Sequence, residues 1–371
     1  MTKKVAIIGG GLAGISATRH AMNAGLHAEI FEASDRCGGR VSSDNIDGYV
    51  IDRGFQVINL NYPELKRLLN TKPASQPIFD VINYPSRKRR TSISPFKPLS
   101  IISALFSNDV NSRILEPFLR GVFLMDPKEV DVKIKSRITR YFLKGRPHLI
   151  DGGVGHAISA LIDSIPTSHI HLNCTVTEII PGSSTDTVKV KYQGGESGDF
   201  DYVIVATNSM PGAIAGTSGG NSRKWNPSTT VYHSINANKM KVKQLYIGST
   251  FANSSPISMA NSTLAPAGKT LVATTYLEEL TPQIWQEKKT AYEREIAALY
   301  GVRVDELTLI SIQSIPHSLP RFSRSDTPEI NRLMVDPKNP KIIYAGDSFE
   351  EPSQNGALRS GRKAIEVINK L

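Results

Sequence analysis

The chain has 371 residues, of which 40% are hydrophobic and 21% charged, a composition typical of a folded α/β protein. Its two cysteines, Cys37 and Cys174, are too few for a disulfide framework or a cysteine metal cluster and suit a reducing cytoplasm. No apolar run approaches the ~20 residues that a transmembrane helix needs, and we find no signal-peptide pattern. The net charge of +10 raises nucleic acid as a partner. Because the basic residues are not interleaved with aromatic ones, we predict no nucleic-acid binding.

The start of the chain carries the strongest pattern. Residues 5–8 are apolar and predict a buried strand, and residues 13–24 predict a helix. Between them, Gly9, Gly11 and Gly14 have the spacing G-x-G-x-x-G. Gly9 allows a tight turn, Gly11 lets the backbone approach a pyrophosphate, and Gly14 lets helix and strand pack closely. The helix N-terminus offers unpaired N–H groups to phosphates, so we predict a nucleotide site.

A second strand is predicted at residues 28–32 and ends in Glu32. This acid follows the glycine motif at the distance where a carboxylate accepts hydrogen bonds from ribose hydroxyls. A carboxylate there disfavours a 2′-phosphate, so we do not expect NADP. The pattern up to this point leaves NAD and FAD both open.

A second glycine pair, Gly38-Gly39, follows with Arg40 directly after it. The pattern E-x-x-x-x-x-G-G-R from Glu32 to Arg40 resembles the FAD-binding superfamily of flavin amine oxidases, protoporphyrinogen oxidases and phytoene or carotenoid desaturases. In that superfamily the glycine pair crosses close to the pyrophosphate, and the arginine contacts phosphate or flavin. A plain surface turn is the alternative interpretation of the glycine pair. The resemblance favours FAD, since NAD dehydrogenases do not need this second loop.

Of the next segments, the first extends the resemblance and the later ones do not. Residues 49–57, with Gly54 and Phe55, resemble the segment that passes the isoalloxazine ring in the same families. Residues 87–90 form the densest basic cluster, and residues 94–106 are apolar with basic flanks. This arrangement is compatible with peripheral membrane contact between Arg87 and Phe106, or with the mouth of a lipid tunnel. A solvated turn that leads into a core helix is the interpretation that we favour.

The middle of the chain returns to the nucleotide-binding pattern. Residues 149–161 form a glycine turn that enters a helix, and residues 169–180 predict a strand. In the resembling families the backbone at the position of Val176 meets the adenine. Residues 201–207 predict a further buried strand of the same sheet.

A substrate domain is predicted around the remaining residues. Alternating apolar residues at 229–235, 244–248 and 271–276 predict an antiparallel sheet, and residues 282–300 predict a helix. His317 lies in a segment that resembles the turn over the flavin, and it is a weak candidate for a catalytic residue. The fold class is therefore a Rossmann-like FAD-binding domain interleaved with an α+β substrate domain. We place the FAD-binding domain at residues 1–60, 145–210 and 338–371, and the substrate domain at residues 61–144 and 211–337.

The C-terminal segment supports FAD over NAD. A strand at residues 341–347 ends in Gly346-Asp347, and a helix opens near Asn355. In the resembling families the aspartate hydrogen-bonds the ribityl chain, and this helix points its N-terminus at the N1–C2=O edge of the flavin. Reduction puts negative charge on that edge, and a helix dipole stabilises such charge by roughly 0.3–2 kcal/mol.

The resemblance implies a set of cofactor-binding residues spread over both ends of the chain. The residues are Gly9, Gly11, Leu12, Ala13, Gly14, Glu32, Ala33, Gly39, Arg40, Gly54, Phe55, Val176, Gly346, Asp347, Asn355, Gly356 and Ala357. We expect FAD to be bound noncovalently, because the C-terminal segment carries no cysteine.

The function implied by the resemblance is removal of a hydride equivalent from a substrate C–H bond to flavin N5. Oxygen, a quinone or another acceptor would reoxidise the flavin. Two classes of small-molecule substrate stay open, namely amines and apolar polyenes, isoprenoids or tetrapyrrole-like molecules. The strand near residues 229–233 offers no lysine of the kind that holds a water near N5 in amine oxidases. This difference disfavours a simple amine oxidase.

A different kind of function is the main alternative. Proteins of this fold include flavin-free escort proteins that bind prenyl groups or partner proteins, but the retained cofactor motifs argue against that function. The sequence has no HExxH, CxxC, G-x-S-x-G or Walker pattern, and we predict no metal site. We expect a cytoplasmic protein, with peripheral membrane attachment left open.

Overall fold

The computed structural model describes residues 2–69, 73–78, 82–84, 91–93, 116–144, 147–184, 186–208, 213–219, 224–241, 243–323 and 334–371. Two segments named above, the basic cluster at 87–90 and the apolar stretch at 94–106, lie outside the described residues. The domain boundary at residue 210 also lies outside them, and the boundaries stay a prediction.

Strands and α-helices are interspersed along the described part of the chain. The strands are β1 (Lys4–Ile8), β2 (His27–Phe31), β3 (Ser43–Ile46), β4 (Tyr49–Asp52), β5 (Ser75–Pro77), β6 (Ile82–Tyr84), β7 (Thr91–Ile93), β8 (His148–Ile150), β9 (Ile170–His171), β10 (Val176–Pro181), β11 (Val188–Tyr192), β12 (Gly195–Glu196), β13 (Tyr202–Val205), β14 (Trp225–Asn236), β15 (Leu245–Tyr246), β16 (Asn253–Ser255), β17 (Lys269–Tyr276), β18 (Thr308–Pro320) and β19 (Ile342–Tyr344). The α-helices are α1 (Leu12–Asn23), α2 (Pro63–Leu68), α3 (Glu116–Phe123), α4 (Val132–Lys144), α5 (Val154–Ile162), α6 (Ile257–Ala260), α7 (Pro282–Tyr300) and α8 (Gln354–Ile368).

A five-stranded parallel sheet in the order β19-β13-β1-β2-β9 forms the core of the nucleotide-binding fold. Its central strand is fully buried at Val5, Ala6 and Ile7, as expected for a parallel strand. The prediction of one strand over residues 169–180 is wrong. The backbone turns at Asn173, whose φ is +54°. As a result, β9 is an edge strand of the parallel sheet, whereas β10 pairs with β11 in a separate three-stranded sheet.

The two ends of the chain meet where α1 packs against α8. A Cβ atom on Gly361 would lie 2.2 Å from the backbone oxygen of Ala13, so the helices approach at a glycine. Ser16 Oγ donates a hydrogen bond of 2.7 Å to the backbone oxygen of Leu358. The helix predicted at residues 13–24 is confirmed as α1, and its contact with α8 brings the N- and C-terminal motifs to one place.

The second sheet has seven strands in the order β18-β14-β17-β16-β15-β6-β7 and is antiparallel except between β15 and β6. The predicted antiparallel sheet is therefore confirmed. Helix α7 covers one face, where Trp285 and Tyr292 pack against Val231 and Tyr276 of the sheet. The predicted helix at 282–300 has these same bounds, and it begins after the N-cap Thr281.

Helix α2 packs against the nucleotide-binding part of the molecule. It follows the residues that we assigned to the FAD-binding domain, and Leu65 and Leu68 pack into the same hydrophobic core as the parallel sheet. The Glu64 side chain lies 3.0 Å from Arg362 of α8. Among the described helices, none has both the length and the apolar character that a membrane crossing requires.

Candidate functional site

The first glycine loop leaves open space at the N-terminus of α1. Gly9 has a φ of +102°, and a Cβ atom on Gly14 would lie 1.9 Å from the Gly9 backbone oxygen, so both positions require glycine. Among the described residues, no heavy atom lies within 4 Å of a Cβ built on Gly11. Gly11 is the N-cap of α1, and no described side chain caps that helix. The first-turn N–H groups, which include those of Leu12 and Ala13, therefore face an open cradle of the kind that binds phosphates.

Glu32 is held at the rim of this loop. Its carboxylate accepts hydrogen bonds from the backbone N–H of Gly10 at 2.6 Å and of Ser34 at 2.9 Å. The side chain is half-buried, and the neighbouring Ala33 is exposed. The end of β2 thus fixes the orientation of a carboxylate beside the glycine loop, as the sequence predicts for a ribose-binding acid.

The second glycine loop lies directly against the first. Gly38 N–H donates to the Gly10 backbone oxygen at 2.8 Å, and a Cβ on Gly39 would lie 3.4 Å from the Gly11 Cα. Gly39 itself is exposed and has a φ of +57°. The two glycine loops, which are separate in the sequence, therefore lie side by side next to the N-terminus of α1.

Arg40 connects the second loop to the C-terminal motif. Its guanidinium forms a bidentate pair with Asp347 at 2.9 and 3.0 Å and donates to the Ser318 backbone oxygen at 2.7 Å. The Asp347 side chain is 5% exposed and that of Arg40 is 30% exposed. The guanidinium also lies 5.3 Å from the ring centroid of Trp225. Two residues assigned to the cofactor by resemblance, 307 positions apart in the chain, are thus in contact.

The start of α8 is built from closely packed backbone. Ser353 caps the helix by accepting a hydrogen bond of 3.0 Å from Gly356 N–H. A Cβ on Gly356 would lie 2.0 Å from the Glu351 backbone oxygen, and Ala357 is buried. Gly346, which precedes the motif aspartate, has a φ of +150° and donates its N–H to Ser360 Oγ at 2.8 Å.

Asn355 has a different environment from the one expected for a cofactor contact. The side chain is fully buried, accepts from Glu64 N–H at 3.1 Å, and donates to Tyr141 Oη at 3.0 Å and Glu351 Oε1 at 2.8 Å. It joins α8 to α2 and α4. Sequence reasoning identified the position but missed this role, because the partners lie far away in the chain.

Two other predicted residues lie on strands outside the glycine loops. Val176 is half-buried at the start of β10, paired with Tyr192 and packed against the core of the nucleotide-binding fold. His317 is exposed, and its ring centroid lies 5.6 Å from that of Trp225. Because successive residues of a strand point to opposite faces, Ser318 lines the main cavity while His317 points away from it.

The main cavity has an open volume of about 1360 Å³, including its solvent-facing mouth. Its walls come from the loop after β4, from α3 and α4, from the seven-stranded sheet and from the residues that precede and open α8. Gly54 and Phe55 of the predicted flavin-binding segment line it, and so do Ser353 and Gln354. A Cβ on Gly54 would lie 2.4 Å from the Arg40 backbone oxygen, so this segment runs against the second glycine loop.

The cavity lining is mostly apolar and carries no formal charge among the described residues. The apolar side chains include Phe55, Val57, Ile78, Phe118, Val122, Leu124, Ile138, Phe142, Leu149, Leu245, Ile247 and Ile257. Polar lining residues carry hydroxyl or amide groups. Tyr62 is the ionisable residue of the described lining, and burial raises its pKa further above neutrality.

Asp52 is a buried carboxyl group that sequence reasoning did not single out. It accepts hydrogen bonds from Ser43 Oγ at 2.5 Å and from Val154 N–H, at the start of α5, at 2.9 Å. Burial raises the pKa of Asp52 from 3.8 to about 7. It immediately precedes Arg53-Gly54, so it anchors the segment that lines the cavity. An acid at the end of an apolar strand is the sequence signal that marks such a position.

The residues present fit FAD. The open cradle over Gly11 and Gly39 suits a pyrophosphate, the fixed Glu32 carboxylate suits ribose hydroxyls, and the cavity beyond Gly54 has room for a ring system. Within the described part of the chain, no group of three or more His, Cys, Asp or Glu side chains is arranged to hold a metal ion.

Known families match both parts of the chain. Residues 7–71 match the family model of NAD(P)-binding Rossmann-like domains, and residues 97–369 match that of flavin containing amine oxidoreductases. The chain is similar to protoporphyrinogen oxidase 2, chloroplastic/mitochondrial, of Arabidopsis thaliana, with 28% identity over 236 residues. That match covers 60% of this chain and 45% of the relative, so the chain spans less than half the length of the relative.

Solved structures show the same fold at low identity. A putative protoporphyrinogen oxidase from Exiguobacterium sp. has a TM-score of 0.74 at 15% identity, covering 100% of this chain and 99% of that one. A putrescine oxidase variant has a TM-score of 0.75 at 15% identity, with both chains covered fully. The fold class and the resemblance predicted from the sequence are confirmed. The chain belongs to the flavin-containing amine oxidoreductase family, a family of FAD-dependent oxidoreductases.

Proposed function

We propose that this protein is a FAD-dependent oxidoreductase that removes a hydride equivalent from a C–H bond of a neutral, mostly apolar substrate. The observation that carries the proposal is the shared cavity. Gly54, Phe55 and the N-cap Ser353 line the same space as the apolar side chains of α3 and α4. Flavin and substrate sites on this chain would therefore adjoin without an intervening wall.

The chain contributes binding and electrostatics, whereas FAD, when bound, supplies the acceptor for the hydride equivalent. The Gly11 and Gly39 backbones would admit the pyrophosphate, and Glu32 would accept hydrogen bonds from ribose hydroxyls. The N-terminus of α8, oriented by the Ser353 cap, presents a partial positive charge to the cavity. Noncovalent attachment is part of the proposal, because no cysteine lies in the C-terminal segment.

The cavity residues position the substrate and exclude water. The aromatic rings of Phe55, Phe118 and Phe142 and the aliphatic side chains around them provide an apolar surface. Burial keeps Tyr62 protonated at neutral pH. None of the described lining residues is therefore placed to take a proton from an ammonium group.

The uncharged lining favours one substrate class over the other. Among the described lining residues, an ammonium ion would find no carboxylate partner to compensate for its lost hydration, which is unfavourable. Neutral polyenes, isoprenoids or tetrapyrrole-like rings carry no such penalty. Oxygen, a quinone or another acceptor would complete the cycle. We also propose a cytoplasmic location, on the basis of the two unpaired cysteines.

Anaerobic spectrophotometry tests the proposal. The purified protein is mixed under argon with a neutral polyene and, separately, with an alkylamine of the same carbon number. We expect the flavin absorbance to bleach with the neutral compound and not with the amine. Bleaching by amines alone would contradict the proposed substrate class. A protein without flavin that cannot be reconstituted would favour the flavin-free escort function instead.

A further inference from the structure

One wall of the cavity is polar although it is uncharged. Thr230 of β14, Thr275 of β17 and Asn253 of β16 occupy directly paired positions on three neighbouring strands. All three line the cavity, together with Ser255 on β16. Because residues paired across neighbouring strands share one face of a sheet, these four side chains form a continuous polar row.

The polar row has unused hydrogen-bonding groups. Thr230 Oγ1 lies 3.0 Å from Thr275 Oγ1 and accepts a hydrogen bond of 3.2 Å from Gln56 Nε2. Among the described residues, the Asn253 amide and the Ser255 hydroxyl have no hydrogen-bond partner. Ser255 is buried and Asn253 half-buried. Both groups border the cavity, so a bound molecule can supply the partner.

The facing wall has the opposite character. Phe118 and Val122 of α3 and Ile138 and Phe142 of α4 line the cavity with apolar groups. Phe118 and Val122 are half-buried rather than buried, because they face this space. A molecule that fits both walls has an apolar body and a neutral hydrogen-bonding group on one side. An ionised group would lose hydration without finding an opposite charge among the described lining residues.

We propose that the polar row recognises a neutral hydroxyl or carbonyl group on an otherwise apolar substrate. The inference rests on the proposed function, since the same cavity holds the substrate. It narrows the substrate class from neutral, mostly apolar molecules in general to those that carry a hydroxyl or carbonyl group. Thr275 and Asn253 determine specificity, and they do not take part in the oxidation.

Calorimetric titration of the purified full-length protein with matched probes tests this assignment. The probes are a series of para-alkylphenols and the alkylbenzenes that lack the hydroxyl group. The quantity compared is the ratio of the Kd of each alkylbenzene to that of its alkylphenol. We expect Thr275→Val and Asn253→Leu each to lower this ratio about three- to tenfold, the effect of one neutral hydrogen bond. Thr275→Ser keeps the hydroxyl and is expected to keep the ratio of the wild type.

The control is Thr274→Val, which removes a hydroxyl from the opposite face of the same strand. Thr274 bonds Ser254 at 2.7 Å and does not line the cavity. This change is expected to lower the melting temperature and to leave the Kd ratio unchanged. An unchanged ratio in the Thr275→Val and Asn253→Leu proteins would overturn the inference, and so would failure of all probes to bind. Absence of FAD would overturn the proposed function, while the probe ratios would still be measurable.

Discussion

The Gly11→Ala substitution separates cofactor binding from folding. Gly11 has φ −74° and ψ −176°, which alanine adopts without strain, and no described heavy atom lies within 4 Å of the added Cβ. We therefore expect the free energy of unfolding of the apoprotein to stay within about 1 kcal/mol of the wild type. The new methyl group stands in the cradle that the two glycine loops leave for phosphate. Gly39 borders the same space, so the methyl group takes up room that the phosphates would use.

We expect this variant to bind FAD at least about tenfold more weakly, a loss of about 1.4 kcal/mol. The assay is fluorescence titration of FAD with the apoprotein, alongside urea unfolding without flavin. Gly198→Ala is the matched control, because a Cβ there also meets no described heavy atom within 4 Å and Gly198 belongs to neither glycine loop. Wild-type affinity for FAD in Gly11→Ala would refute the assignment of the cradle to phosphate. Equal weakening in both variants would point to a general effect of the Gly→Ala change.

Three further predictions concern stability. Burial raises the pKa of Asp52 from 3.8 to about 7, so the folded chain binds this proton more tightly than the unfolded chain does. Between about pH 4 and 7, the free energy of unfolding of the wild type should fall relative to that of Asp52→Asn as pH rises, by at most about 1.4 kcal/mol per pH unit. Urea unfolding at several pH values measures this difference, and parallel pH profiles of the two proteins would contradict it. Gly361→Ala puts a Cβ 2.2 Å from the Ala13 backbone oxygen and should lower the free energy of unfolding by about 1–3 kcal/mol. The melting temperature should fall accordingly, and an unchanged melting temperature would count against close packing of the two helices. Ser353→Ala removes the side-chain acceptor for Gly356 N–H and should lower the free energy of unfolding in urea by about 1 kcal/mol. Ser353→Thr keeps a hydroxyl group and should retain most of that stability, so equal stability of the two variants would argue against the cap.

Local patterns predicted much of the nucleotide-binding fold. The G-x-G-x-x-G motif, the apolar strand before it and Glu32 lie close together in the chain, and short-range geometry determines how they pack. The helix α7 was also predictable, because Thr281 and Gly301 are strong end signals on either side of it. The break at Asn173 was missed, since a single residue in the left-handed region does not change the apolar pattern around it.

Long-range contacts account for what the sequence did not reveal. The fully buried bonds of Asn355 and the pair between Arg40 and Asp347 depend on how α8 docks against the N-terminal loops. The polar row depends on the register between β14, β17 and β16, which no local pattern in these strands encodes. Such features follow from tertiary packing, so the sequence identified the positions and the structure supplied their partners.

An absorbance spectrum of the purified protein, taken before and after acid precipitation, determines whether this chain is a flavoprotein. We predict flavin bands in the near-ultraviolet and blue, and FAD in the supernatant after precipitation, as expected for a noncovalent flavoprotein. A colourless protein that does not take up FAD on reconstitution would contradict the claim. A flavin that stays with the precipitate would contradict the noncovalent attachment alone.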